Sequence, residues 1–235
     1  MKKIIFIFTF CLLSGTAYAS DYSGFVNVAD KNEMKAFARD IGGLLGSGSA
    51  QTGRGLGFAG FDVGLRVISM PKSDKDNKAI KNGTGLGLVQ AEIGMPMNIS
   101  GFIRAGSYQG LTAAGGGLRY SLREVSDEDY RLNVVLTGMG HAAVHEDFYA
   151  VHWNMSLLCS MNMPVVSPFV SAGFDYTSLK AKTVNASALL DEEVYTTQPR
   201  YSAGLMFRLN YFYLSGEASY THGSWLTTAG AGVRF

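Results

Sequence analysis

Thr228-Ala-Gly-Ala-Gly-Val-Arg-Phe235 is the stretch that decides the fold. Together with the residues just before it, it alternates strictly. Trp225, Thr227, Ala229, Ala231, Val233 and Phe235 share one face of a strand; Leu226, Thr228, Gly230, Gly232 and Arg234 share the other. One face tolerates lipid and the other is small or polar. That division suits the closing strand of a transmembrane β-barrel.

Working back from this strand, the same period-2 pattern recurs from Phe58 onward. Val63, Leu65 and Val67 oppose Asp62 and Arg66; Val89, Ala91 and Ile93 oppose Gln90 and Glu92; Trp153, Met155 and Leu157 oppose His152, Asn154 and Ser156. Leu205, Phe207 and Leu209 oppose Arg208, and Leu214 and Ala218 oppose Glu217. The expectation is an all-β, antiparallel barrel of about ten strands, with eight to twelve conceivable, each near the ~9–11 residues that a tilted membrane strand needs. Residues 22–28 also alternate and supply the case for twelve. Short turns are expected at 96–98, 126–129, 161–164 and 210, and longer loops at 70–83, 109–112, 141–148 and 179–198. Bacterial barrels have short periplasmic turns and longer external loops, so an even strand count places both termini in the periplasm.

The opening residues agree with secretion. Lys2 and Lys3 precede an apolar run from Ile4 to Leu13 and a small-x-small site at Ala17-Tyr18-Ala19, which reads as a signal peptide over 1–19. Its removal leaves 18 basic against 19 acidic residues, giving no electrostatic case for nucleic acid. Cys159 is then the one remaining cysteine, so no intramolecular disulfide is expected. No later segment holds the ~18 uninterrupted apolar residues of a transmembrane helix. A periplasmic β-sandwich would alternate too, but the terminal Phe235 favours a barrel.

Residues 20–57 form a separate N-terminal segment ahead of the barrel at 58–235. Asp30 with Glu33 reads as a capping box, and Met34, Phe37, Ile41 and Leu44/Leu45 form an apolar stripe, predicting an amphipathic helix over 30–46. Gly42, Gly43 and Gly46 weaken and end it, and residues 46–57 read as a Gly- and Ser-rich connector. The helix is expected to cap the periplasmic mouth or to lie in the inner-leaflet interface.

Charge placement points inward. Asp62, Arg66, Glu92, Arg104, Arg119, Arg123, Arg131, Asp175, Arg200, Arg208, Glu217 and Arg234 all fall on the face opposite the apolar one. A basic residue facing lipid would cost roughly 2–4 kcal/mol at the midplane, so this face is the lumen. The bland reading is a network of ion pairs. The functional one is a positively biased pathway or pocket for a small or amphiphilic solute. With ~8 strands just enclosing their side chains and ~16 needed for an open channel, ten should be nearly filled.

His141, His145, His152 and His222 are expected at external strand ends. Their spacing, with Glu146 and Asp147, matches no standard metal site, so neither metal nor cofactor is expected. The Gly-rich strings at 83–87 and 115–117 lie in strands and are not phosphate loops.

Two resemblances add to this reading. Thr228, Gly230, Val233 and Phe235 resemble the C-terminal assembly signal of bacterial outer-membrane β-barrels. That implies integral outer-membrane insertion by the barrel assembly machinery, with outer-membrane lipid and lipopolysaccharide as neighbours. His222-Gly-Ser224 is similar to the His-x-Ser element of lipid A deacylases, which implies a rim hydrolase with His222 activating Ser224. The acidic partner such enzymes place downstream has no counterpart before Phe235. The leading expectation is a non-enzymatic structural or narrow-pathway barrel; the alternative is a surface-loop adhesion or interaction protein.

Overall fold

A computed structural model describes residues 22–80, 83–124, 126 and 128–235. The expected signal peptide lies outside the described residues. Among them, ten antiparallel strands close a barrel in sequence order: β1 (Phe61–Met70), β2 (Thr84–Gly94), β3 (Ile99–Tyr108), β4 (Leu111–Ser121), β5 (Leu132–Val144), β6 (Phe148–Met161), β7 (Val166–Ala181), β8 (Glu193–Leu209), β9 (Phe212–Thr221) and β10 (Ser224–Arg234). The seam is β1 against β10, from Asp62 opposite Arg234 to Ser69 opposite Thr227. Residues 228–234 therefore belong to the strand that closes the barrel. Residues 22–27 form a 3-10 turn, so the strand count stays at ten.

The outer face carries exposed Val89, Ile103, Leu118, Trp153, Met155, Val170, Phe174 and Trp225. Arg66, Arg104, Arg119 and Arg200 are buried within. Strands of ten or eleven residues, tilted as barrel closure requires, reach about 25 Å, the height of a membrane's apolar band. This is a transmembrane architecture. No helix among the described residues is long and apolar enough to cross a membrane.

The barrel has two unlike ends. The closing end holds the first residue of β1 and the last residue of the chain, where Phe235 N–H donates to Phe61 O at 2.9 Å. The loop end carries the connections at 71–83 and 182–192. The expected loops at 109–112, 141–148 and 179–198 are present but shorter, reduced to 109–110, 145–147 and 182–192 as the strands run on into them. β3–β4 and β9–β10 join through two residues each, while β5 to β8 run 13 to 17 residues. The reason is internal: Ala143, Phe148, Ala150, Leu179, Ala181 and Val194 continue inward at this end and meet an apolar partner.

That partner is α1 (Lys31–Gly46). Asp30 caps it, accepting from Asn32 N at 2.7 Å and Glu33 N at 2.9 Å, while Glu33 accepts from Ala29 N at 2.9 Å. Met34, Phe37, Ile41, Leu44 and Leu45 are fully buried. The helix lies inside the lumen, against β1 and β6 to β8.

Its location corrects the expected one. The helix enters from the loop end, opposite the expected periplasmic mouth. Lys31 pairs with Glu192 at 2.9 Å, Asn185 N–H donates to Val26 O at 2.9 Å, and Tyr22 donates to Gly85 O at 3.0 Å. Tyr22 and Phe235 thus sit at opposite ends, where both chain ends had been expected on one side. The helix's apolar stripe goes where the inner wall offers its larger apolar cluster, at the loop end; among the described residues a smaller one is formed by Ala50, Leu158 and Phe169.

Candidate functional site

The helix puts an elementary problem inside the barrel. Its last four carbonyls have no intrahelical donors and face a water-poor interior. Each finds a partner. Ser47 N–H reaches Leu44 O at 3.3 Å, Ser49 Oγ reaches Gly46 O at 3.3 Å, and Ser47 Oγ reaches Gly43 O at 2.8 Å. The barrel wall supplies the rest. Arg200 Nη2 donates to Gly43 O at 2.8 Å, and Arg104 donates to Leu45 O and, at 2.9 Å, to Ser47 O. Two cations at the negative end of the helix dipole are favourable beyond the hydrogen bonds themselves. The close approach requires Gly46: a Cβ there would lie 2.5 Å from Arg200 Nη2 and 2.7 Å from Asp175 Oδ1.

The grip continues along the connector. Arg119 donates to Thr52 O, and Ser160 Oγ accepts from Gly53 N–H at 2.8 Å. Each arginine is oriented in turn by the wall. Arg200 pairs with Asp175 at 2.6 Å, Arg119 with Glu92 at 3.3 Å, and Arg104 Nε donates to His141 Nε2 at 2.5 Å. Asp175 also accepts from Asn154 at 2.8 Å, and Ser100 donates to Glu92 at 2.5 Å. Beside β10, Asp62 accepts from Tyr213 at 2.9 Å and Arg234 at 3.0 Å, and Arg66 donates to Tyr213 at 2.6 Å.

Most of the residues read as luminal therefore share one interior, but not all do. Arg123 is exposed in the turn after β4, and Arg131 is half-buried at the same rim, 3.7 Å from Glu128. Strand alternation had been extended past Ser121, where the strand ends. Glu217 is buried but meets Ser219 at 2.6 Å rather than an arginine. Thr228 and Gly230 face inward in the seam strand, and Val233 and Phe235 lie at the closing end.

At the loop end a second set of contacts latches the helix. Asp40, fully buried, accepts from Asp74 N at 3.0 Å, Asn77 Nδ2 at 2.6 Å and His222 Nε2 at 2.8 Å. Arg39 pairs with Asp74 at 2.7 Å, and Lys78 pairs with Glu33. Burial raises the Asp74 carboxyl, but the bond from Arg39, the Asp76 N–H and the nearby charges of Arg39 and His222 together hold the group below the usual carboxylate range. The Lys78 bond lowers Glu33 in the same direction.

The histidines, expected at external strand ends, lie in or beside β5, β6 and β9, with their side chains buried inside the barrel. His141 and His152 face the lumen with ring centroids 6.1 Å apart, and His145 is buried, stacked on Phe148 at 5.0 Å. His145, Glu146 and Asp147 hold ligand-type atoms within 4.8 Å of one another, but His145 Nδ1 already accepts from Asp147 N–H. His222 and Ser224 line a loop-end cavity of about 530 Å³. Yet His222 Nε2 is occupied by Asp40 and its Nδ1 makes no bond to Ser224, so the nucleophile–base pair is not assembled. Ser47, Asp40, Asp74 and Asn77 were missed by sequence reasoning. Nothing in their local pattern separates them from ordinary helix-end and loop residues.

A closed antiparallel barrel with an apolar exterior, an ionic interior and its own helix gripped in the lumen defines a plugged transmembrane β-barrel. No protein-family model and no curated protein sequence matches the chain. Among solved structures it is similar to the N-terminal β-barrel domain of Pseudomonas aeruginosa OprF, at 14% identity and a TM-score of 0.39, over 74% of this chain and 97% of that one. Ail of Yersinia pestis matches at 12% identity and 0.39, over 76% and 99%. The translocator domain of the autotransporter NalP from Neisseria meningitidis matches at 12% and 0.36, over 87% and 95%. No residue role is carried over from likenesses this distant.

Proposed function

We propose that the protein is an integral barrel of the bacterial outer membrane whose pathway is shut at rest by its own N-terminal segment. One observation carries this: Arg104, Arg119 and Arg200, the cations that would attract an anionic solute, direct their N–H groups to backbone oxygens of that segment. A resting open pore for small solutes does not fit such a lumen. Displacing the plug would bare an arginine-lined passage suited to a small or amphiphilic anion.

In this reading the closing end is periplasmic, as the Phe235 signal implies, and the loop end faces outward. The N-terminal segment then threads the whole lumen and presents its start outside. The adhesion alternative keeps a role for 182–192, but 71–83 and 182–192 are both tied to the plug and act with it as one surface.

Intact-cell labelling tests the topology. In a Cys159→Ser background, Asn27→Cys should react with a membrane-impermeant maleimide, and Glu128→Cys, at the closing end, only after the outer membrane is permeabilised. The reverse pattern would overturn the proposed orientation.

A further inference from the structure

Below the plug, the connector leaves a cavity of about 290 Å³ against the ends of β8, β9 and β10. Its walls include Arg54, Arg208 and Arg234, with Tyr211, Tyr213 and Phe235. Arg54 has a partner already. The other two guanidinium groups are incompletely satisfied. Arg208 donates through Nη2 to Met163 O, and Arg234 through Nε to Asp62 at 3.0 Å. Arg208 Nε and Arg234 Nη1 are buried with no acceptor among the described residues.

Buried N–H groups are nearly always bonded, and an orphan marks a place where water or an ion belongs. Water would satisfy the hydrogen bonds but not the charge. The single charge of Asp62 is already shared between Arg234 at 3.0 Å and Arg66 at 3.9 Å, which leaves Arg208 without a matching acidic side chain in this cavity's wall. A phosphate would satisfy both, because guanidinium forks match its oxygens in bidentate geometry.

The surroundings indicate where that phosphate comes from. Tyr211, Phe212 and Phe235 are 64%, 64% and 67% exposed around the cavity, and the Tyr211 and Phe235 rings lie 5.8 Å apart. Exposed aromatics at a barrel rim mark the depth of the lipid headgroups. We propose that this cavity binds the phosphate of a phospholipid headgroup from the leaflet at the closing end, through Arg208 and Arg234. The proposal rests on the membrane-spanning reading but not on the lumen being shut, so bilayer conductance and lipid binding can fail separately.

The test is calorimetric titration of full-length, delipidated protein in neutral detergent with dihexanoyl phosphatidylglycerol and, separately, with inorganic phosphate. A single saturable lipid site is expected, with inorganic phosphate at least about tenfold weaker. Arg208→Gln and Arg234→Gln should each weaken lipid binding about tenfold or more, the scale of a lost charged hydrogen bond. Arg208→Lys, which keeps charge without the fork, should lose less, and Arg123→Gln, in an exposed turn, nothing. A heat-dependent gel shift confirms that each variant is folded. Absence of saturable binding, undiminished binding by Arg208→Gln and Arg208→Lys together, or equal affinity for free phosphate would overturn the proposal.

Discussion

The two halves of the lumen hold the same N-terminal segment by opposite means. In the loop half, Phe25, Phe37 and Phe148 meet with centroids 4.8 to 5.1 Å apart, surrounded by Met34, Ile41, Leu44, Leu86, Leu111 and Leu179. This resembles the core of a soluble protein. In the closing half, arginines paired to Asp175, Glu92 and Asp62 hold backbone oxygens of the plug or one another's hydroxyl partners. The apolar half gives affinity without fixing position, since burial is non-directional and contributes roughly 1.5–3 kcal/mol for each large side chain. The ionic half adds less net stability but fixes where the helix stops, because its donors reach particular carbonyls.

The sharpest way to break this contrast is to remove one member of a buried ion pair. Arg200→Ala leaves Asp175 buried without its cation and Gly43 O without one of its donors. We expect a loss of about 3–5 kcal/mol in denaturant unfolding, and trypsin cleavage at Lys31, Lys35 and Arg39 as the plug loosens. Arg200→Met should be milder, because it refills the volume.

Phe37→Ala attacks the other half. It should cost about 3 kcal/mol or slightly more from lost burial and the cavity left behind. Here the helix should stay in register, so protection of the connector around Thr52 and Gly53 from amide exchange should outlast that of the helix. Equal loosening of both stretches in both variants would erase the proposed division of labour.

Asp40→Asn tests the latch joining the helix to residues 71–83 and His222. One oxygen is retained, so a loss of about 1–3 kcal/mol is expected. The smallest effect is with pH. The Asp74 and Glu33 carboxyls are held below their ordinary range by Arg39 and Lys78, so their contribution is fully present above the unfolded-state values of about 4 and fades as pH falls through the lower folded-state ones. Amide exchange of residues 31–46, normalised to its intrinsic rate at each pH, should rise only in that acidic window. A rise on going from pH 7 to pH 5 would contradict the assignment.

This division also explains what could be read from the sequence. Strand alternation is a local property, so the barrel, its strand count and the closing strand were legible from 58 onward, as was the helix from Asp30 and its stripe. The helix's destination was not, because it depends on which inward positions are apolar far along the chain. The signal was present as a concentration of apolar residues on the inward face: Phe148, Ala150, Leu179, Ala181 and Leu226 all fall in one cluster. Those positions marked the loop end as the plug's seat. The Arg104 and Arg200 contacts to helix carbonyls had no sequence signature, since their acceptors are backbone oxygens. The Asp40–His222 pair joins residues 182 positions apart, and only folding brings them together.

Single-channel current across planar bilayers tests the shut lumen most directly. The full-length chain should remain closed, and a chain lacking residues 22–57 should show stable openings that prefer anions. Large steady currents from the full-length protein, or a truncated barrel that is folded and still silent, would contradict a lumen closed by its own N-terminal segment.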